Sequence, residues 1–139
     1  MVDFSLWWCK ALACAAAVLG GLALLCNPAM AATPQSELAR WEQAAGQSGD
    51  ADKGRVFFAQ RHGGEWSCAS CHGAPPDKDS QHASTGKKIA PLAPAFNPQR
   101  FTDSAKVDKW FKRNCKDVLS RECTALEKVD VLAYLLGVK

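Results

Sequence analysis

Residues 68–72 read Cys-Ala-Ser-Cys-His, and this stretch constrains the chain more than any other. The pattern C-x-x-C-H is typical of covalent haem attachment. Two thiols one helical turn apart can each bond one vinyl group of a haem, and the adjoining imidazole can then bind the iron. We therefore predict that Cys68 and Cys71 attach one haem c covalently and that His72 is its proximal iron ligand.

A redox-active dithiol and half of a zinc site are the alternatives for this motif. A zinc site needs a second pair of ligands, and the spacing of Cys115 and Cys123 fits no common zinc-binding pattern. A thioredoxin-like dithiol needs a βαβ context, which the sequence does not indicate. Covalent haem is therefore the interpretation that the motif favours.

The first 31 residues have the pattern of an export signal. Lys10 precedes an apolar run from Ala11 to Cys26, which is shorter than the roughly 20 residues that a membrane-spanning helix needs. Residues 29–31 read Ala-Met-Ala, which matches a signal-peptide cleavage site. We predict a signal peptide at residues 1–31 and a periplasmic cytochrome c domain at residues 32–139, outside the membrane. An uncleaved anchor is the alternative.

Export would change which residues can serve the haem. Both methionines, Met1 and Met30, belong to the predicted signal, so the exported domain would lack the methionine ligand found in many c-type cytochromes. Cys115 and Cys123 would be left over in an oxidising compartment, where a disulfide or two free thiols both remain open. The formal net charge is +3, and no basic tract indicates nucleic-acid binding.

Apolar spacing predicts an all-α domain with helices packed around the haem. We expect Gly54 and Phe58 to pack against Tyr134 where an early helix crosses the last one. Residues 86–94 are expected to form an irregular segment beside the haem, and no stretch alternates clearly enough to predict a strand. The helices are predicted at residues 35–45, from Asp50 or Asp52 to 60, at 103–114 and at 124–137. Thr33, Asp103 and Thr124 are predicted as N-caps, and residues 116–122 as a short turn.

One polar residue lies on the apolar face of the helix at 103–114. Val107, Trp110, Phe111 and Asn114 recur at the i, i+3, i+4, i+7 spacing of a buried helical face. Trp110 and Phe111 are therefore predicted to line the haem pocket. A buried amide needs a partner. Asn114 either caps the end of the helix or faces the iron, and the pattern leaves both open.

These features resemble the class I c-type cytochromes, and more closely the sphaeroides haem protein (SHP) family of monohaem cytochromes. The likeness extends over essentially the whole exported domain and implies a class I cytochrome c fold. It rests on Gly54-x-x-x-Phe58, the C-x-x-C-H motif, the Gly-Lys-Lys-Ile-Ala-Pro-Leu-Ala-Pro segment at 86–94, Arg100 to Ser104, Arg113-Asn114-Cys115 and Cys123-Thr124.

The resemblance implies that Asn114 is the distal iron ligand and that Cys115 and Cys123 form a disulfide beside it. It implies further that Asn114 leaves the iron on reduction, which opens a site for oxygen, nitric oxide or other small ligands. Electron exchange with a dihaem cytochrome c or another redox protein is also implied, while catalytic turnover stays open. The alternative is a simple electron carrier in which His62 or His82 is the second axial ligand.

Overall fold

The structure is a computed structural model that describes residues 31–139, so the predicted signal peptide lies outside the described residues except for Ala31. Two short strands, β1 (Ser80–Gln81) and β2 (Lys88–Ile89), pair antiparallel, with Ser80 opposite Ile89 and Gln81 opposite Lys88. Among residues 31–139, no helix is long and apolar enough to cross a membrane. The helices are α1 (Pro34–Ala45), α2 (Ala51–Ala59), α3 (Cys68–His72), α4 (Ser104–Leu119) and α5 (Ala125–Gly137).

Four of these helices begin where the sequence predicts because local side chains cap them. Thr33, Asp50, Asp103 and Thr124 each accept a hydrogen bond from a backbone N–H in the first turn of the helix that follows. Such bonds satisfy donors that a helix start otherwise leaves free. In α5, Glu127 completes a capping box by accepting a 2.8 Å hydrogen bond from the N–H of Thr124.

The core lies where α2 crosses α5, and a glycine allows the crossing. A β-carbon added to Gly54 would overlap the backbone carbonyl oxygen of Asp130 on α5. One turn later, the ring of Phe58 is fully buried and its centroid lies 5.5 Å from that of Tyr134. Val131 of α5 completes this contact in the central apolar cluster. The predicted contact between the early and the last helix is therefore confirmed.

Helix α4 continues past its predicted end. The prediction of a turn at residues 116–122 is wrong for residues 116–119, because Val118 and Leu119 stay half-buried and continue the apolar face. The helix ends at Ser120, whose φ of 58° and ψ of 15° lie in the left-handed region typical of helix C-termini. Asn114 is therefore an interior residue of α4, and the interpretation that it caps the helix end is wrong.

Residues 80–89 form a short hairpin that the sequence did not predict. Each strand has only two residues, which is too short for an alternating pattern to show. The proline-rich segment that follows is fixed by Pro76, whose carbonyl oxygen accepts hydrogen bonds from Leu92 N at 3.1 Å and Ala93 N at 3.0 Å. Leu92 also packs against the core cluster that Cys68 contacts, so this segment and the start of the C-x-x-C-H turn share one apolar cluster.

Candidate haem-binding site

The motif residues lie on α3, a single helical turn that is fixed at both ends. Ser67 caps its start by accepting from the N–H of Ser70, and the hydroxyl of Ser70 accepts from the N–H of Ser67 at 2.9 Å. Gly73 ends the turn with a φ of 75°, a conformation that favours glycine. The three motif side chains are therefore carried by a short, well-defined turn.

Both motif cysteines are free thiols and half-buried. Cys68 packs against the core cluster, and this burial raises the pKa of its thiol to about 11, with a smaller contribution in the same direction from Cys71 and an opposing one from a backbone hydrogen bond. The sulfur of Cys71 accepts a hydrogen bond from the backbone N–H of Ala83 at 3.3 Å, so the hairpin supports the motif from one side. Two free thiols one turn apart fit the two vinyl groups of one haem.

His72 has the protonation state that a metal ligand needs. Burial, with smaller electrostatic contributions from Arg100 and His82, lowers its pKa to about 4. The imidazole is therefore neutral at pH 7, with a lone pair free for a metal. Its Nδ1 is buried without a hydrogen-bond partner among residues 31–139. The donor set of two free thiols and one neutral imidazole fits haem c.

Arg100 is a site residue to which sequence reasoning assigned no role. Its Nε donates to the carbonyl oxygen of Pro91 at 2.8 Å and its Nη2 to that of Ala90 at 2.6 Å. The amide of Asn97 donates to the same oxygen of Pro91 at 3.2 Å. Arg100 thereby fixes the proline-rich segment and places a half-buried positive charge near His72. The only signal in the sequence was its position in a stretch resembling a known family.

One face of α4 carries Asn114 between two residues that lie close to other parts of the fold. Phe111, Asn114 and Val118 share this face at the i, i+3, i+7 spacing. Phe111 packs against the same core cluster as Cys68. At the other end of the face, a β-carbon added to Gly64, in the loop before the motif, would lie 3.3 Å from the carbonyl oxygen of Val118. Asn114 therefore lies between a contact of α4 with the core cluster and one with the loop that precedes the motif.

The two aromatic residues predicted to line the haem pocket differ in their exposure to solvent. Phe111 is half-buried and contacts the core cluster, whereas Trp110 is 44% exposed, with the Arg113 guanidinium 5.6 Å from its ring centroid. A role of either ring in lining the haem pocket stays a prediction.

Cys115 and Cys123 are adjacent in space and joined as a disulfide, with their Cα atoms 5.5 Å apart. The bond links the C-terminal half of α4 to the residue before Thr124, the N-cap of α5, and both cysteines are buried. This pairing fits the disulfide that the family likeness implies. It fixes the backbone directly after Asn114.

The two histidines considered as alternative ligands are engaged elsewhere. The Nε2 of His62 lies 2.9 Å from the carbonyl oxygen of Phe57, and its ring lies 4.3 Å from the ring of Phe57, centroid to centroid. The Nδ1 of His82 lies 3.2 Å from the hydroxyl of Ser84 within the hairpin turn. Each imidazole therefore has one ring nitrogen in a local contact.

An all-α fold with the α2–α5 crossing and a C-x-x-C-H turn defines a class I c-type cytochrome. Residues 44–135 match the family described as Domain of unknown function (DUF1924). The chain is also 48% identical over 119 residues to cytochrome c-type protein SHP of Cereibacter sphaeroides, a match that covers 81% of this chain and 92% of that protein. The chain therefore belongs to the DUF1924 family and is an SHP-like c-type cytochrome.

Solved structures agree with this assignment. The structure of oxidised SHP, described as an oxygen-binding cytochrome c, superposes with a TM-score of 0.68 at 48% identity and covers 74% of this chain and 95% of its own. Oxidised cytochrome c'' of Methylophilus methylotrophus superposes with a TM-score of 0.68 at 33% identity, covering 76% and 94%. In sequence, cytochrome c'' is 42% identical over 87 residues, 60% of each chain. Relatives of the c type imply haem c as the cofactor.

Proposed function

We propose that this chain is a periplasmic monohaem cytochrome c whose ferric iron has His72 and Asn114 as axial ligands, and that Asn114 leaves on reduction. Haem c, attached through Cys68 and Cys71, would supply an iron that exchanges electrons and binds small ligands such as oxygen or nitric oxide. The protein would exchange electrons with a redox protein, of which a dihaem cytochrome c is the example that the family likeness implies.

The observation that carries the proposal is the position of Asn114 on α4. Asn114 is an interior residue of the helix, between Phe111 at the core cluster and Val118 beside the loop that precedes the motif. Within residues 31–139, the hydrogen-bond network does not include the side-chain amide of Asn114. A half-buried amide without a protein partner on this face is available to an iron held by His72.

The chemistry of the amide supports release on reduction. Asn114 offers a neutral oxygen or nitrogen donor, which is a weaker ligand than the imidazole of His72. A hard oxygen donor suits ferric iron better than the softer ferrous iron. Since α4 holds the backbone of Asn114 in place, release needs only a rotation of its side chain. His72 would remain as the permanent ligand, because its helix is fixed at both ends.

The descriptions of related proteins also support a ligand that leaves the iron. SHP is described as an oxygen-binding cytochrome c. A solution structure of cytochrome c'' is described as giving insights into the structural basis of haem-ligand detachment, and it superposes on this chain with a TM-score of 0.67 at 33% identity. Both descriptions concern those proteins, and both are in line with a ligand that leaves the iron in this chain.

The substitution Asn114→Ala tests this function. We expect the ferric absorption spectrum to change toward the high-spin form. Exogenous imidazole should then bind ferric protein at least about tenfold more tightly, because no internal ligand must first be displaced. Asp117→Ala, at an exposed position on the same helix, is the matched control and should leave both properties unchanged. A wild-type ferric spectrum in the Asn114→Ala variant would refute Asn114 as ligand.

The alternative, a bis-histidine electron carrier, is tested by the same spectra. A carrier of this kind would lose its low-spin spectrum in either His62→Ala or His82→Ala and would keep it in Asn114→Ala.

A further inference from the structure

A second face of α4 faces α1. Ser104, Asp108, Phe111 and Cys115 follow one another at the i, i+4, i+7, i+11 spacing, so they form one stripe along the helix. The first three contact side chains of α1, and the fourth forms the disulfide with Cys123. The stripe therefore fixes α4 along most of its length.

The first contact is a buried carboxylate. Glu37, in the first turn of α1, is only 1% exposed, and its Oε1 accepts a hydrogen bond from the hydroxyl of Ser104, the first residue of α4. Its Oε2 accepts two hydrogen bonds from Arg40, from Nη2 at 2.6 Å and from Nε at 3.1 Å. A carboxylate at the start of α4 also interacts favourably with the positive end of the helix dipole.

The second contact extends the same ion pair across to α4. The Nη2 of Arg40 also lies 2.6 Å from Oδ1 of Asp108, and its Nη1 lies 3.4 Å from Oδ2. One guanidinium thus bridges Glu37 on its own helix and Asp108 on α4. We call this group of Glu37, Arg40, Ser104 and Asp108 the α1–α4 clamp. An isolated surface pair contributes little to stability, but this guanidinium is the charge partner of a buried carboxylate, so its removal is costly.

The third contact is aromatic. The ring of Trp41 meets that of Phe111 edge-on, with centroids 6.2 Å apart and planes at 68°. The guanidinium carbon of Arg40 and the ammonium of Lys128, on α5, lie 4.6 and 4.1 Å from the centroid of the Trp41 ring. Trp41 therefore connects the clamp to Phe111, which also lies on the face of α4 that carries Asn114.

We infer that the α1–α4 clamp sets the rotation of α4 about its axis and thereby positions Asn114 for the iron. Successive helical residues are about 100° apart, so a stripe held through Cys115 fixes the direction of Asn114 beside it. A side chain ends about 5 to 6 Å from the helix axis, so a rotation of 10° moves it by about 1 Å. Arg40 is thus a positioning residue, and this inference rests on the proposed function of Asn114.

The test measures the midpoint potential of the holoprotein in Arg40→Gln and Asp108→Asn. Loss of a supporting contact commonly weakens a metal ligand by about 10- to 100-fold. If Asn114 binds only ferric iron, a tenfold weakening raises the midpoint potential by about 59 mV. The two substitutions change the protein charge in opposite directions, so a direct charge effect would lower the potential in Arg40→Gln and raise it in Asp108→Asn. We expect a rise in both.

The same pair of substitutions in the Asn114→Ala background separates positioning from other effects. If the clamp acts by positioning Asn114, the two substitutions should no longer both raise the midpoint potential in this background. Asp108→Asn leaves the Glu37–Arg40 pair intact, so this variant tests the inference even if Arg40→Gln does not fold. Arg55→Gln, which breaks the exposed Asp52–Arg55 pair on α2, is the control and should not produce the rise.

The outcomes distinguish this inference from the proposed function. Unchanged potentials, shifts of opposite sign, or a common rise that persists in Asn114→Ala would overturn the positioning role while leaving Asn114 as ligand. A ferric spectrum that is unchanged by Asn114→Ala alone would instead overturn the proposed function, and the positioning role with it.

Discussion

The two proposed axial residues differ most in how firmly the fold holds them. His72 lies on a turn that Ser67 caps and Gly73 ends, and its imidazole is neutral because burial lowers its pKa to about 4. Asn114 also has a fixed backbone, but its amide lacks a hydrogen bond to any residue in the 31–139 range. One permanent and one conditional ligand is therefore the arrangement that these two environments support.

At the same scale, Gly54 determines whether the core can form. We predict that Gly54→Ala lowers the free energy of unfolding by about 3 kcal/mol or more, because backbone atoms of Asp130 occupy the space that the added methyl group needs. Urea unfolding of the holoprotein, followed by tryptophan fluorescence, measures this change.

Gly137→Ala provides the matched control, since a β-carbon there would meet nothing within 4 Å among the described residues. Its effect on the free energy of unfolding should stay within about 1 kcal/mol. Equal effects of the two substitutions would contradict the close contact between α2 and α5.

At the scale of elements, local chemistry was predictable from the sequence and long-range contact was not. Thr33, Asp103 and Thr124 could be recognised as N-caps because a cap bonds within three residues of itself. The end of α4 was predicted too early, because a left-handed Ser120 carries no strong signal of its own. The apolar face of α4, in contrast, was visible in the spacing of the residues in this helix.

In the candidate site, too, local motifs were predictable from the sequence and long-range contacts were not. The haem motif is contiguous, so the roles of residues 68–72 could be predicted directly, and Asn114 could be singled out as one polar residue on an apolar face. The clamp could not be foreseen, because Arg40 and Asp108 are 68 residues apart and a Glu-Arg pair at i, i+3 is common on exposed helices. The support of the proline-rich segment by Arg100 was missed for a similar reason, since its partners are backbone carbonyls that no sequence pattern marks.

The disulfide links α4 covalently to the start of α5. We predict that the double substitution of Cys115 and Cys123 by serine lowers the free energy of unfolding by about 2.5 kcal/mol, the chain-entropy value for a ring of this size. The same variant should bind exogenous imidazole more tightly in the ferric state, because the backbone after Asn114 is less constrained. Urea unfolding and optical titration of the ferric holoprotein measure the two effects.

The effect on the free energy of unfolding and the effect on imidazole affinity can be tested separately. Asn114→Ala combined with the double serine substitution separates the effects, because stability should still fall while imidazole affinity should no longer respond to the disulfide. An imidazole affinity equal to that of the wild type in the double serine variant would show that the disulfide does not constrain Asn114.

For the whole molecule, the fold places one rigid and one adjustable side around the same site. The rigid side is α3, supported by the α2–α5 core and by the hairpin that contacts Cys71. The adjustable side is the side chain of Asn114, because the backbone of α4 that carries it is held by the clamp, by the Trp41–Phe111 pair and by the disulfide. Such a division suits a protein that keeps its haem in both oxidation states and changes only the distal position.

The most direct test of this account is the visible absorption spectrum of the purified holoprotein in the ferric state and after reduction with dithionite, each recorded without and with carbon monoxide. Release of Asn114 predicts a ferrous spectrum of the high-spin type and immediate binding of carbon monoxide. A ferrous protein that stays low-spin and does not bind carbon monoxide would have two persistent axial ligands, which would contradict the release of Asn114.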